Sequence, residues 1–151
     1  MSQIILLPHV YLMTTFRQRL WGLINEPEPA ASQGYWFPRC RSIHTFGMKA
    51  PIDVIGLDAE HRIRQVERHV CPNQVRYFSG CESILELTSF SPWPFQCWRG
   101  KPLTFIRQGA PTNDSDSKIQ LPDFAIAIAT DCWLSGDGSA VSTATTDLSG
   151  S

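Results

Sequence analysis

Charge is scarce in this chain, and neither sign dominates. Charged residues make up 18% of the 151 residues, and 13 Lys and Arg face 14 Asp and Glu for a formal net charge of −1. Proteins that bind nucleic acid usually carry a clear basic excess, so no nucleic-acid partner is expected. No uncharged apolar run approaches the roughly 20 residues of a transmembrane helix, so membrane insertion is not expected either.

The cysteines are few and irregularly spaced. There are five, an odd number, and none forms a Cys-x-x-Cys pair, so neither a closed disulfide set nor a zinc ribbon is indicated. The apolar stretch at residues 1–16 is interrupted by Pro8 and His9 and lacks the basic n-region and small-residue cleavage site of a signal peptide. A reducing, cytoplasmic location with free thiols is therefore expected, and no metal or other cofactor is predicted.

Short apolar segments bounded by turn-forming residues dominate the chain up to Arg107. Connections of three residues, at 49–51 and 59–61, favour hairpins and antiparallel pairing, and no βαβ alternation occurs. A short helical pattern follows Thr14 and Thr15. The sequence therefore predicts a mainly β, single-domain antiparallel sandwich or partly closed barrel with one or two short helices. The predicted strands are His9–Met13, Tyr35–Phe37, Ser42–Met48, Ile52–Asp58, Arg62–His69, Ser83–Thr88 and Pro102–Arg107.

The composition changes after this region. Residues 1–107 are predicted to form the β-rich domain, and residues 108–134 to form a linker in which the apolar run Phe124–Ala129 can add an edge strand. In residues 135–151, 13 of 17 are Ser, Thr, Gly or Asp, which predicts a disordered tail.

Three segments carry a recognisable pattern. Residues 19–23 read Arg-Leu-Trp-Gly-Leu, Met48 is followed by Asp53 at the start of a hydrophobic strand, and residues 85–87 read Leu-Glu-Leu. On these motifs, residues 9–107 resemble the family known as domain of unknown function 192. The resemblance implies a small β-sandwich-like fold with short helices, and it implies no activity, because the family has no agreed function.

Two positions depart from the pattern of that family. Thr-Ser-Phe follows Leu-Glu-Leu at 88–90, where the family usually has a glycine. The Gly-Asp turn that usually precedes the last strand is Gly100-Lys101 here, which reverses a charge. No function that depends on the aspartate of that turn is therefore carried over to this chain.

Polar residues around the Met-to-Asp segment are the leading candidates for a site. If residues 49–51 form a three-residue hairpin loop, His44 lies opposite Gly56 and shares a face with Met48, while Asp53 lies on the other face. A four-residue loop brings His44 and Asp53 to one face. Two interpretations stay open: a pocket in which Asp53 and His44 act as general base or ligand contacts, or a hairpin that Asp53 fixes by accepting backbone N–H bonds.

Other candidate groups are less complete. Cys40 and His44 are four residues apart and would share one side of an extended segment, but nothing nearby orients the base that a Cys–His nucleophile requires. No His, Cys and Asp residues have the spacing of metal ligands. Among the aromatic residues, Trp93 and Phe95 are the better candidates for exposed contacts, because two prolines keep this segment off a central strand. For the aromatic residues as a whole, ordinary packing in the core is favoured over exposure.

The sequence thus supports two functions. The first is a non-enzymatic accessory module that binds a small ligand or a protein partner. The second is a small hydrolase-like enzyme with a site around His44 and Asp53. An enzyme needs these side chains in a solvent-reachable, concave pocket with perturbed pKa values, whereas a binding module leaves Asp53 buried among backbone N–H groups. The binding module is favoured, because no complete catalytic constellation can be assembled from the sequence.

Overall fold

The computed structural model describes residues 2–13, 32–89, 91–109 and 122–131. The predicted helix after Thr14 and the predicted tail lie outside these residues. Among the described residues, no helix has the length and apolar character that crossing a bilayer requires. The described elements are β1 (Gln3–Leu12), β2 (Gln33–Pro38), β3 (Ser42–His44), β4 (Ile52–Leu57), β5 (Ile63–Val70), β6 (Val75–Tyr77), β7 (Ser83–Thr88), the 3₁₀ helix Phe95–Trp98, β8 (Thr104–Arg107) and β9 (Phe124–Ala129).

Seven strands form one large sheet, and two form a small one. The order in the large sheet is β5-β4-β7-β2-β1-β9-β8, and β3 pairs with β6 in the small sheet. The prediction of a mainly β domain is confirmed, and the two sheets are not closed into a barrel. The expectation of purely antiparallel pairing is wrong for β1 and β2, which are parallel. A parallel pair needs a long crossover, and residues 13–32 between these strands are long enough to supply one.

The β4–β5 hairpin is present as predicted, and Asp58 fixes its turn. Asp58 Oδ1 accepts the N–H groups of Glu60 and Arg62, both at 2.9 Å, and Arg64 Nε donates to Oδ2 at 2.9 Å. Burial acts to raise the pKa of Asp58, but these hydrogen bonds and the Arg64 charge together hold it below its ordinary value. The carboxylate thus satisfies turn N–H groups that no strand can reach.

The small sheet overturns the predicted pairing of residues 42–48 with residues 52–58. β3 ends at His44 and pairs antiparallel with β6, so that His44 lies opposite Val75. β4 pairs with β5 on one side and with β7 on the other. Both edges of β4 are therefore occupied, and β3 has no edge of β4 left to join.

Thr45 turns the chain away at the end of β3. Its hydroxyl donates to the Cys71 carbonyl at 2.7 Å and accepts the Gln74 N–H at 2.9 Å. The Met48 N–H donates to the Thr45 carbonyl at 3.2 Å, and Gly47 between them has a φ of 79°, which favours glycine. These bonds make residues 45–48 a turn rather than the continuation of a strand.

Each face of the large sheet carries its own hydrophobic core. The face with Val54 shares its core with Ile43 of β3, and we call it the small-sheet face. The face with Ile55 packs against Phe95 and Trp98 of the 3₁₀ helix, and we call it the loop face. Because successive residues of a strand point to opposite faces, neighbours along β4 belong to different cores.

Gly56 allows the small sheet to approach the large one closely. A Cβ atom at this position would lie 2.5 Å from Cys81 Sγ and 2.7 Å from Phe78 Cδ1. The prediction that His44 lies opposite Gly56 is therefore wrong. The space is filled instead by the segment that returns from β6 to β7.

The strand at Phe124–Ala129 is present, but it does not lie at the edge of the sheet. β9 pairs with β1 on one side and with β8 on the other, so β8 is the edge strand. The edge position expected from the sequence is wrong. Its nearly continuous apolar sequence fits a strand that is buried on both faces, as Ala125 to Ile128 are.

Candidate functional site

Asp53 lies on the loop face of β4 with 1% of its surface exposed. Its Oδ1 accepts the His69 N–H at 2.9 Å. Its Oδ2 accepts the Ser91 N–H at 3.1 Å and a hydrogen bond from Arg68 Nη1 at 2.7 Å. Three donors from two distant segments therefore converge on one buried carboxylate, which ties β5 and residue 91 to β4.

Arg68 extends the same network along the segment that follows β7. Besides Asp53, its Nη1 donates to the Ser91 carbonyl at 3.1 Å, and its Nη2 donates to the Trp93 carbonyl and to Gln96 Oε1. The guanidinium thus joins the carboxylate to three acceptors on a segment without strands. This network holds the loop over the loop face of the sheet.

A serine and a histidine meet beside this network. Ser89 Oγ lies 2.7 Å from His69 Nδ1, and the two residues are separated by 20 positions in the sequence. His69 is exposed, and its φ of 52° is in the left-handed region that residues other than glycine rarely adopt. The sequence carries no signal for this pair, because neither residue lies in a motif or at a spacing that suggests contact.

The outer side of the small sheet is rich in exposed apolar side chains. Phe46 is 50% exposed, Val75 44% and Tyr77 76%. The exposed His44 imidazole stacks on the Phe46 ring, with centroids 5.3 Å apart and an interplanar angle of 27°. We call the surface formed by His44, Phe46, Val75 and Tyr77 the docking face.

The residues that build the small sheet and its loops are predominantly basic. Residues 39–51 and 71–82 contain four basic residues and one acidic residue, Glu82. The basic residues are Arg39, Arg41, Lys49 and Arg76. Among them, Arg41 pairs with Glu82 at 3.1 Å, and both side chains are mostly exposed, so water weakens this ion pair.

The structure does not bring the predicted site residues together. His44 lies on the outer side of the small sheet, whereas Asp53 lies on the loop face, on the opposite side of the large sheet. Met48 is half-buried and packs against the core of the small-sheet face. Asp53 accepts backbone N–H bonds, but from His69 and Ser91 rather than from the adjoining loop.

The two candidate aromatic contacts pack against the loop face of the large sheet instead of standing free in solvent. Phe95 is fully buried in the 3₁₀ helix, so it is not the exposed contact for which it was a candidate, and it packs in the core instead. Trp93 is half-buried, and its indole N–H donates to the Leu6 carbonyl at 3.0 Å. The prolines do keep this segment out of the sheet, but the segment folds back onto the core.

A second buried carboxyl, that of Glu86, has a different environment from Asp53. Glu86 lies in β7, opposite Val54 on one side and Tyr35 on the other, and therefore on the small-sheet face. Its Oε2 is buried and, in the described part of the chain, has no hydrogen-bond partner. Burial raises the pKa of Glu86 to about 8, so this carboxyl is mostly protonated at neutral pH.

The described residues contain neither a metal-binding cluster nor a disulfide. No group of three or more His, Cys, Asp or Glu residues among them is arranged to hold a metal ion. The four described cysteines, Cys40, Cys71, Cys81 and Cys97, are free thiols.

Comparisons with known proteins agree on the fold and assign no activity. The family model DUF192, described as an uncharacterized ACR, matches residues 5–90. A protein of unknown function from Novosphingobium aromaticivorans DSM 12444 has 17% identity and a TM-score of 0.53, over 60% of this chain and 70% of its own. A protein from Sinorhizobium meliloti 1021, provisionally described as a transcription regulator, has 20% identity and a TM-score of 0.50, over 54% and 69%. No curated protein matches the chain.

Proposed function

The chain belongs to the uncharacterised DUF192 family, so we propose its function from its own surface. The protein is a protein-binding module, and its docking face binds a segment of a partner protein that contains both acidic and apolar residues. The observation that carries the proposal is the docking face itself, with His44, Phe46, Val75 and Tyr77 on one side of the small sheet.

Exposed apolar clusters of this kind are uncommon on proteins that work alone. Five large apolar side chains of the described residues are exposed, and three of them, Phe46, Val75 and Tyr77, belong to the docking face. Aromatic side chains are also enriched at protein interfaces, where they often contribute most of the binding free energy. The grouping of these three residues therefore supports a contact surface for another protein.

The charge around the docking face indicates the chemistry of the partner. With four basic residues against one acidic residue in residues 39–51 and 71–82, the potential there favours a segment that carries Asp or Glu. Apolar side chains of such a segment would cover Phe46 and Tyr77. The partner would therefore combine acidic and apolar residues.

The open shape of this surface favours a protein over a small molecule. Small-ligand sites are usually concave and bury most of the ligand surface. The side chains of the docking face instead stand out from a sheet, with Tyr77 76% exposed. A peptide segment can cover such a surface, whereas a small ligand would remain largely in water.

The alternative of an enzyme around His44 and Asp53 has less support. These residues lie on opposite sides of the large sheet. Asp53 is almost completely buried, and its oxygens already accept three hydrogen bonds. A general base has to reach the proton it removes, and Asp53 in this position does not reach solvent.

Fluorescence anisotropy with short labelled peptides tests this proposal. One peptide alternates Glu with Leu and Phe, and a second replaces each Glu by Lys while keeping the apolar residues. The protein is expected to bind the acidic peptide at least tenfold more tightly than the basic one, because only the acidic peptide complements the basic residues around the face.

Two variants distinguish binding at the docking face from nonspecific hydrophobic binding elsewhere on the protein. Phe46→Ser together with Tyr77→Ser should weaken binding of the acidic peptide by at least tenfold. Loss of an aromatic side chain at the centre of an interface typically costs about 1–2 kcal/mol of binding free energy or more. Ile5→Ser is the matched control, since Ile5 is 54% exposed but lies on β1. Equal affinity of the double variant and the control would refute the docking face.

A further inference from the structure

Outside the docking face, a hydroxyl and an imidazole are held within hydrogen-bond distance. Ser89 Oγ lies 2.7 Å from His69 Nδ1, which is the separation of a nucleophile and its base in hydrolytic sites. We propose that Ser89 is a nucleophile activated by His69 as general base, and that the pair takes acyl groups from small carboxylic esters.

The backbone around the pair is firmly fixed. Ser89 directly follows β7, and His69 lies near the end of β5, with β4 between the two strands. The Asp53 carboxylate accepts the N–H of His69 itself and the N–H of Ser91, two residues beyond Ser89. Both sides of the pair are therefore anchored to one buried group, which limits drift of the 2.7 Å contact.

The imidazole is aimed by an irregularity of the strand. The register of β4 with β5 shifts between Ile52 and Val54, where one additional residue of β5 is accommodated. His69 lies within this bulge, and its φ of 52° differs from that of an ordinary strand. Bulges re-aim side chains and are frequent next to active sites, and unusual backbone conformations cluster there as well.

A substrate in solution has access to this pair. His69 is exposed and Ser89 is half-buried. The Arg68–Asp53 pair lies beside them but is engaged with the loop backbone. Both residues of the pair are therefore at least partly exposed to solvent.

The chemistry balances as an ordinary acyl transfer. With its proton on Nε2, His69 accepts the Ser89 hydroxyl proton at Nδ1 while Oγ forms a bond to the ester carbonyl carbon. The bond from that carbon to the alcohol oxygen then breaks, and the proton on Nδ1 passes to the departing alkoxide. The products are an acyl-serine and an alcohol, and attack by water, deprotonated in turn by His69, releases a carboxylic acid and restores Ser89.

Acylation by p-nitrophenyl acetate tests the proposal on the full chain. The wild-type protein should release one early equivalent of p-nitrophenolate, and peptide mass mapping should place the acetyl group on Ser89. Ser89→Ala should abolish this adduct. His69→Asn should slow it by about 100-fold, the usual contribution of a general base, while asparagine tolerates the positive φ and keeps the backbone N–H bond to Asp53.

Ser79→Ala is the matched control, because Ser79 is an exposed serine between β6 and β7, at the other end of β7 from Ser89. Its acylation rate should equal that of the wild type. The proposal is overturned if acetyl groups are found on lysines or other serines but not on Ser89, or if His69→Asn reacts at the wild-type rate. Mapping of the wild-type protein decides the question even where a variant unfolds, and no residue of the pair belongs to the docking face.

Discussion

Arg68 Nη1 donates a hydrogen bond of 2.7 Å to Asp53 Oδ2, and the arginine side chain is 25% exposed while the aspartate side chain is 1% exposed. The ion pair therefore lies where the carboxyl group has almost no contact with water, and the hydrogen bonds of that group have to replace its hydration. Such a group is expensive to disturb, because removal of one partner leaves the remaining donors or the remaining charge without compensation.

Asp53→Asn is expected to destabilise the protein by about 2–3 kcal/mol. The amide keeps one acceptor oxygen, but its NH₂ group must face a donor, either the His69 N–H or the Ser91 N–H with Arg68. Urea denaturation measures the change. Glu82→Gln is the control, because its ion pair with Arg41 is exposed and its loss should cost less than about 0.5 kcal/mol. Equal stability of Asp53→Asn and the wild type would show that the network does not hold the fold.

Gly56→Ala is expected to destabilise the protein by about 1–3 kcal/mol through overpacking. The new methyl group would lie 2.5 Å from Cys81 Sγ and 2.7 Å from Phe78 Cδ1, so the segment between β6 and β7 must move. Gly109→Ala is the matched control, since a Cβ there has no described atom within 4 Å. Thermal unfolding of both variants measures the difference. Similar melting temperatures would contradict the close packing of the two sheets.

The stability of the protein is expected to fall as pH rises from about 5 to 8, owing to Glu86. Its folded-state pKa of about 8 lies above the ordinary value of 4.5, so between these values the folded protein holds a proton that the unfolded chain has released. The stabilising contribution is therefore complete below the lower pKa and is lost by the upper one. The loss approaches about 1.4 kcal/mol per pH unit within this window.

Glu86→Gln isolates this effect from other titrating groups. Glutamine is neutral at every pH and nearly the same shape, so its free energy of unfolding should lack the Glu86 component of the slope. The free energy of unfolding of Glu86→Gln minus that of the wild type should therefore be larger at pH 7 than at pH 5. Denaturant unfolding at pH 5, 6 and 7 gives the comparison, and parallel curves for both proteins would show that the Glu86 carboxyl is already ionised in the folded state.

Local features of the fold could be predicted from the sequence, whereas pairing between distant segments could not. The β4–β5 hairpin and β7 follow from short apolar runs with close turns. The partner of β3 is β6, about thirty residues further along the chain, and no local pattern selects it over β4. The parallel pairing of β1 with β2 also depends on a long connection rather than on the strands themselves.

The candidate site follows the same rule. Asp53 stands out in the sequence because it follows Met48 at the start of a hydrophobic strand, but its backbone donors come from His69 and Ser91, which are 16 and 38 residues away. The Ser89–His69 contact likewise joins the ends of two strands that only the sheet brings together. Residue types indicate which chemistry is available, and the sheet order decides which residues meet.

The most direct test of the docking face is an NMR titration of the ¹⁵N-labelled protein with the acidic, apolar peptide. The account predicts concentration-dependent shifts of amide resonances in residues 42–46 and 75–77, with little change in β1 and β8, where the exposed Ile5 and Ile106 lie. Shifts centred on β1 and β8 would contradict the account. The absence of shifts at peptide concentrations up to about 1 mM would also contradict it, because a Kd of that size corresponds to a binding free energy of only about −4 kcal/mol.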